Sequence, residues 1–119
     1  MEIKGWFDEG KPKIFIYLDG SDDPINALVD TGFNGELMLT KAKIRELSLT
    51  FIGDDEYMTA SGDVVPTTVH IGFIKWFGRT RKIAVLATAG KANLIGMELL
   101  HFYRLDLARS LDRLVISES

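Results

Sequence analysis

No cysteine occurs anywhere in the 119 residues, which removes disulfides, thiolate zinc sites and thiol nucleophiles from consideration. The absence fits a reducing compartment. Also missing is any uninterrupted apolar run near the roughly 18 residues that a membrane-spanning helix needs. The opening residues, Met1-Glu2-Ile3-Lys4-Gly5-Trp6, mix polar and apolar types as a strand does. They lack the basic segment and apolar stretch of a secretory signal. A cytoplasmic protein with no membrane partner is the expectation. Nor is there a surplus of positive charge. The 14 Lys and Arg residues against 17 Asp and Glu give a net charge of −3, the wrong sign for a nucleic-acid binder.

What is present is enough for one domain spanning 1–119, since 46% of the residues are hydrophobic and can form a real core. A domain of this size buries only about two-thirds of the surface of its unfolded chain, so a subunit interface would add to its stability. Short β-forming runs separated by turn residues dominate. Ile14 to Leu18 forms one run, followed by the turn-rich Asp19-Gly20-Ser21-Asp22-Asp23-Pro24. Ile25 to Val29 forms the next, and the two read as a hairpin whose second strand ends at Asp30. Thr40 is placed to cap a short helix over 41–47, with Ile44 and Leu47 on one face. Asp55 to Ala60 and Val64 to Phe73 flank Ser61-Gly62-Asp63, the pattern of a long hairpin with a compact tip. Lys75 to Leu86 is expected to be a further strand pair or a bent strand around Gly78. Met97 to Phe102 has helical composition, and two closing strands are expected at 105–107 and 114–116. The sum is a mostly β chain of the small barrel or sandwich class with one or two short helices.

Several features that suggest ligands do not hold up. Asp54-Asp55-Glu56 lacks the spacing of a calcium loop and reads as a solvated turn. His70 and His101 have no partner at ligand spacing. Ala89-Gly90-Lys91 lacks the earlier glycine of a phosphate loop. Arg79, Arg81 and Lys82 form a small basic cluster within an acidic chain. No metal and no cofactor is called for.

Asp30-Thr31-Gly32 is the segment with chemistry. A carboxylate at a strand end, followed by a hydroxyl and a glycine, sits in a tight loop. Glycine allows close backbone approach, and the loop's N–H groups are able to point at the carboxylate. The tripeptide alone is also a good turn. Its flanks give it more meaning. Leu28-Val29 precedes it, the apolar run Leu37-Met38-Leu39 follows, and a second apolar-apolar-Gly element, Leu94-Ile95-Gly96, lies far downstream beyond the long hairpin. A faint internal repeat links the two glycine-terminated elements, each of them followed by a segment of helical composition.

Together these ordered elements resemble the retropepsin-like aspartic proteases over most of the chain, from about Ile14 to Leu107. The resemblance implies a small closed β-barrel of the retropepsin-like (acid protease) type. Asp30 matches the catalytic aspartate, Thr31 the residue whose hydroxyl braces the loops across a two-fold axis, and Gly32 the glycine of the close turn. The hairpin would be the flap over the cleft, its tip near Ala60, Ser61, Gly62 and Asp63. The second apolar-apolar-Gly element would precede the single defined helix. The sequence departs from the family at Phe33, where a small residue is usual. There the ring is expected to narrow a subsite or rest on a dimer partner. It departs again at Met97-Glu98, so the ion pairing that viral enzymes make at that place does not transfer.

Aspartic proteolysis uses two carboxyl groups that share one proton, because like charges at that separation do not both ionise. This chain holds one Asp-Thr-Gly. Asp19-Gly20 lacks the middle hydroxyl. The expectation is therefore a two-fold homodimer in which Asp30 meets its symmetry mate, acting as an aspartic endopeptidase on a peptide or protein substrate. The alternative is a non-catalytic retropepsin-like dimerisation or peptide-binding module, since a flap-covered groove binds an extended peptide whether or not it cuts. A β-rich domain whose Asp-Thr-Gly is only a turn is a third reading.

Overall fold

Ten strands and one short α-helix make up the structure, a computed structural model that describes residues 1–119. In chain order they are β1 (Glu2–Asp8), β2 (Lys11–Ile16), β3 (Ile25–Val29), β4 (Leu37–Thr40), α1 (Lys41–Glu46), β5 (Thr50–Met58), β6 (Val64–Trp76), β7 (Arg79–Thr88), β8 (Asn93–Ile95), β9 (Tyr103–Ala108) and β10 (Arg113–Glu118). A 3₁₀ turn at Arg109–Leu111 joins the last two. No helix is long and apolar enough to cross a membrane.

Period-two patterning explains the strands. On β2 and its extension Ile14, Ile16 and Leu18 face the core while Phe15 and Tyr17 stay exposed. On β6 the buried residues are Gly72, Ile74 and Trp76. Ile14, Ile16, Leu18, Ile74 and Trp76 belong to one contiguous cluster that also takes in Val29, Leu37, Val85 and Ile95. Each aliphatic side chain buried there contributes about 1.5–3 kcal/mol. Tight turns set the registers of the hairpins. Phe77 and Gly78 both have positive φ (53° and 78°) between the paired Trp76 and Arg79, the conformation that suits a two-residue hairpin loop. The strain at Phe77 is offset by its ring, which stacks on Tyr103 at 4.5 Å.

Helix α1 forms where the cap predicts it. The Lys43 N–H donates to Thr40 Oγ1 at 3.2 Å, and the helix buries Ile44, with Leu47 packed on the core beside it.

The sheet runs in the order β5-β6-β7-β4-β8-β3-β2-β1-β10-β9. It is not closed, contrary to the barrel expected from the sequence. Closure would need β5 to pair with β9, and both strands end the order as free edges. The sheet curls until the extension of β2 meets β6 at a single bridge, Leu18 to Ile74. Two hydrogen bonds flank it, from Asp19 N–H to the Phe73 carbonyl and from Lys75 N–H to the Tyr17 carbonyl. Beyond that bridge, β5 and the first half of β6 pair as a hairpin.

A second expectation is corrected at Met97 to Phe102, which forms a run of turns and no helix. Its internal bonds span three residues: Leu100 to Met97, His101 to Glu98 and Tyr103 to Leu100. The N–H groups of Met97 and Glu98 are held by the carbonyls of Phe33 and Gly35, and Phe102 has φ 70°. The first two N–H groups of the segment are thus tied to loop carbonyls, and the left-handed Phe102 ends it.

Candidate active site

The two glycine-terminated elements lie side by side. Strand β3 pairs parallel with β8, matching Ala27 to Asn93, Leu28 to Leu94 and Val29 to Ile95. Strand β4 pairs antiparallel with the same short strand, Leu37 to Ile95 and Met38 to Leu94. Strand β8 therefore sits between the strand that leads into Asp30 and the strand that leaves its loop. Hydrogen bonds continue past the ladder. Asp30 N–H donates to the Ile95 carbonyl at 2.9 Å, and Gly96 N–H donates to the Glu36 carbonyl at 3.0 Å. The loop from Asp30 to Glu36 is thereby held at both ends by the Leu94-Ile95-Gly96 element.

Within the loop, Gly32 N–H donates to Asp30 Oδ1 at 2.9 Å, and Phe33 N–H to the Asp30 carbonyl at 3.2 Å. The first bond ties one carboxylate oxygen to the backbone and fixes the rotamer. Asp30 itself is half-buried, while Thr31 and Gly32 beside it are exposed.

Phe33 has a packing role that the sequence does not disclose. Its ring covers Gly35 and Gly96. A methyl group added at Gly96 would overlap the Gly35 carbonyl oxygen and lie 2.6 Å from Phe33 Cδ2 and 2.7 Å from the Phe33 carbonyl oxygen. One added at Gly35 would lie 2.6 Å from Phe33 Cζ. The large residue after Asp-Thr-Gly is thus accommodated by small residues on its own loop and on the neighbouring element.

A cleft of about 600 Å³ opens beside Asp30. Its floor is Met38, Thr88 and Leu94, and the Asp30 loop supplies Asp30, Gly32, Phe33, Asn34 and Gly35. Its roof is the segment Glu56 to Ala60, the end of β5 and the start of the hairpin turn. Met38 lines the cleft but is buried and offers it little surface. Of the hairpin residues expected from the sequence, Ala60 lines the cleft, whereas Ser61, Gly62 and Asp63 stand exposed at the tip beyond it. Gly62 takes φ 90°, and the tip is stitched by its own polar groups. Thr59 N–H donates to the Asp63 carbonyl and Gly62 N–H to the Thr59 carbonyl, at 2.8 and 2.9 Å. The Ser61 hydroxyl donates to Asp63 Oδ2 at 3.1 Å.

Sequence reading missed Glu36. Its Oε1 accepts from Ala84 N–H at 3.0 Å and its Oε2 from Arg81 Nη2 at 3.1 Å. This half-buried pair anchors the end of the Asp30 loop to β7. The signal available was a lone acid between Gly35 and the apolar Leu37-Met38-Leu39, opposite a basic cluster whose charge needed a partner. Asn93 is a second case, with Oδ1 accepting from Thr40 N–H at 3.0 Å and Nδ2 donating to the Asn26 carbonyl at 3.1 Å. No group of three or more His, Cys, Asp or Glu side chains is gathered to hold a metal ion.

No protein-family model and no curated protein matches the chain in sequence. Its fold does match solved structures. A retropepsin-like aspartic protease from Rickettsia conorii superposes with a TM-score of 0.72 at 22% identity, over 99% of this chain and 91% of that one. The EIAV protease, solved with an inhibitor, gives 0.65 at 25% identity over 76% and 86%. A foamy viral protease-reverse transcriptase gives 0.62 at 17% identity, covering 81% of this chain but 12% of the larger protein. The mostly β architecture described above is the retropepsin-like fold.

Proposed function

We propose that this chain is one subunit of a homodimeric aspartic endopeptidase, with Asp30 of each copy forming the catalytic dyad. One observation carries the reading. On a retropepsin-like fold, the strand that pairs with β8 ends in a carboxylate that faces a peptide-sized cleft and is oriented by the N–H of Gly32. Thr31, exposed beside it, is free to reach the partner's loop.

With two such carboxyls at a two-fold axis, one is ionised and the other protonated, because their charges repel at short range. The ionised group takes a proton from a water while the protonated group hydrogen-bonds to the scissile carbonyl. The water oxygen bonds to the carbonyl carbon, and the resulting tetrahedral species collapses with proton transfer to the leaving nitrogen as the C–N bond breaks. The hairpin of β5 and β6 excludes bulk water and presents an edge to which an extended peptide adds as a strand.

Digestion of a broad peptide library by wild type and Asp30→Asn, from acidic to neutral pH, tests the proposal. Cleavage by wild type that Asp30→Asn abolishes supports it. Equal cleavage by both proteins would place the activity elsewhere. A confirmed wild-type dimer that cuts nothing at any pH would leave a peptide-binding module.

A further inference from the structure

We propose that Asn34-Gly35 is a site of spontaneous covalent modification, at which the backbone of the Asp30 loop rearranges and disables the candidate site beside it. The chain has three side-chain amides, Asn26, Asn34 and Asn93, and no glutamine. Their surroundings differ. Asn93 lies in β8 with both ends of its amide bonded, to the Thr40 N–H and the Asn26 carbonyl, and Leu94 follows it. Asn26 lies within β3, in register with Phe15, and the buried Ala27 follows it. Asn34 lies outside every strand, is exposed, and is followed by glycine. The side-chain hydrogen bonds of this loop are those of Asp30 and Glu36, and the Asn34 amide makes none. The Gly35 N–H donates to no group of the protein either, although the carbonyls of Phe33 and Gly35 accept from Met97 and Glu98 at 2.8 and 3.2 Å.

The reaction needs only these two free groups and water. The Gly35 nitrogen attacks Cγ of Asn34 and gives up its proton. The bond from Cγ to the amide nitrogen breaks, ammonia leaves, and a succinimide ring remains. Glycine hinders this closure least, having no side chain on the carbon next to the attacking nitrogen. Water then opens the ring at one of its two carbonyls. One opening leaves aspartate in a normal chain. The other leaves isoaspartate, whose main chain runs through the former side chain and is longer by one methylene. Either product adds one negative charge.

That methylene falls between two fixed points. The Phe33 and Gly35 carbonyls hold successive N–H groups of the segment that begins at Met97, and Gly96 N–H is held by the Glu36 carbonyl. The Phe33 ring packs on both Gly35 and Gly96. A loop lengthened between residues 33 and 35 loses the register of these bonds. Asp30 is tied to the same loop, its Oδ1 by Gly32 N–H and its carbonyl by Phe33 N–H, so the displacement reaches the carboxylate. On the function proposed above the isoaspartyl chain is a spent protease, but the modification itself does not depend on that function.

The test incubates the purified wild-type protein and a synthetic peptide of residues 30–38 side by side at mildly alkaline pH. Mass spectrometry of proteolytic fragments follows each asparagine, since exchange of the amide for a carboxyl adds just under one dalton. An isoaspartyl methyltransferase reports the rearranged linkage. Asn34 in the folded protein should react within about tenfold of the peptide's rate, because an exposed loop needs little opening. Asn26 and Asn93 should stay intact. The isoaspartyl fraction, separated by ion exchange, should melt below fresh protein. Its cleavage of peptides should be slower on the order of a hundredfold, the penalty for moving a catalytic group by about 1 Å. Asn34→Gln, whose longer side chain closes the ring poorly, should keep its own starting melting temperature and activity through the same incubation. That variant also controls for Asp19-Gly20, where a related rearrangement changes no mass.

An Asn34 that stays intact in the folded protein while the peptide reacts overturns the proposal. So does an isoaspartyl fraction that melts and cuts like fresh protein. Should fresh protein cut nothing, the protease reading falls, and modification at Asn34 with a lowered melting temperature still supports the rearrangement of the loop.

Discussion

At the scale of single residues, most of the weight rests on Asp30, and its chemistry sets a pH profile. If two Asp30 carboxyls share one proton, as proposed, only the singly protonated pair is competent, and activity should fall on the acid side as both become protonated and on the alkaline side as both ionise. The limbs belong to the pair and not to either residue. Asp30→Asn should abolish turnover at every pH while leaving the melting temperature equal to wild type or slightly higher, since two crowded carboxyls no longer need desolvating. A flat profile in the wild type would contradict a shared proton. Gly96 gives a purely structural counterpart. Two of the three atoms that a methyl would meet there are backbone oxygens, on Gly35 and Phe33, and neither is able to swing aside. Gly96→Ala should cost about 3 kcal/mol, the upper range for overpacking, seen as a lower urea midpoint. Adding Phe33→Ala should not restore it. A Gly96→Ala protein as stable as wild type would refute this account of the loop. The tight turn of Asp30-Thr31-Gly32, with a loop N–H on the carboxylate, was legible in the sequence because it is local. The packing of Phe33 and the anchoring by Glu36 were not, because both depend on partners some 45 to 65 positions away.

At the scale of elements, alternation and turn chemistry carried far. The hairpin ending at Asp30, the Thr40 cap and the long β5–β6 hairpin all stand where local patterning placed them. Where the reading failed, a distant partner decided the outcome. Residues 97–102 have helical composition, yet the carbonyls of Phe33 and Gly35 take the first N–H groups of the segment, and propensity yields to that tertiary hold. The β5–β6 hairpin offers a test of function at this scale. Its tip, Thr59 to Asp63, is held by its own hydrogen bonds, and residues 60–64 are exposed. Few buried contacts oppose its opening, so hydrogen exchange at Gly62 and its neighbours should be orders of magnitude faster than in β3, whose residues Ile25, Ala27 and Val29 are buried. A bound peptide should slow exchange along 56–60. Protection at the tip equal to that of β3 in the free protein would argue against a mobile cover.

At the scale of the whole molecule, the closed barrel was the expectation least accessible to local reading, because closure depends on where two edges more than forty positions apart come to lie. The sheet instead ends in free edges at β5 and β9, and assembly is the remaining question. Each chain holds a single Asp-Thr-Gly, so the proposed dyad would have to form between chains. A C2 arrangement places the two loops together at the cost of one self-complementary interface. Exposed apolar side chains near the free edge β9 are available for a contact of some kind. Phe102, Leu107 and Leu111 are all exposed there, at 79%, 50% and 69%, and covering them would supply favourable burial at about 25 cal/mol per Å². Light scattering at micromolar concentration should therefore report twice the chain mass of 13.3 kDa. Specific activity should decline on dilution as the proposed dimer dissociates, and high peptide concentrations should oppose the decline if substrate binds only the assembled groove. Mixing wild type with excess Asp30→Asn should poison activity through mixed dimers, an effect that no active monomer would show. Activity per chain that holds constant across a thousandfold dilution, with mass at the monomer value throughout, would overturn the shared site.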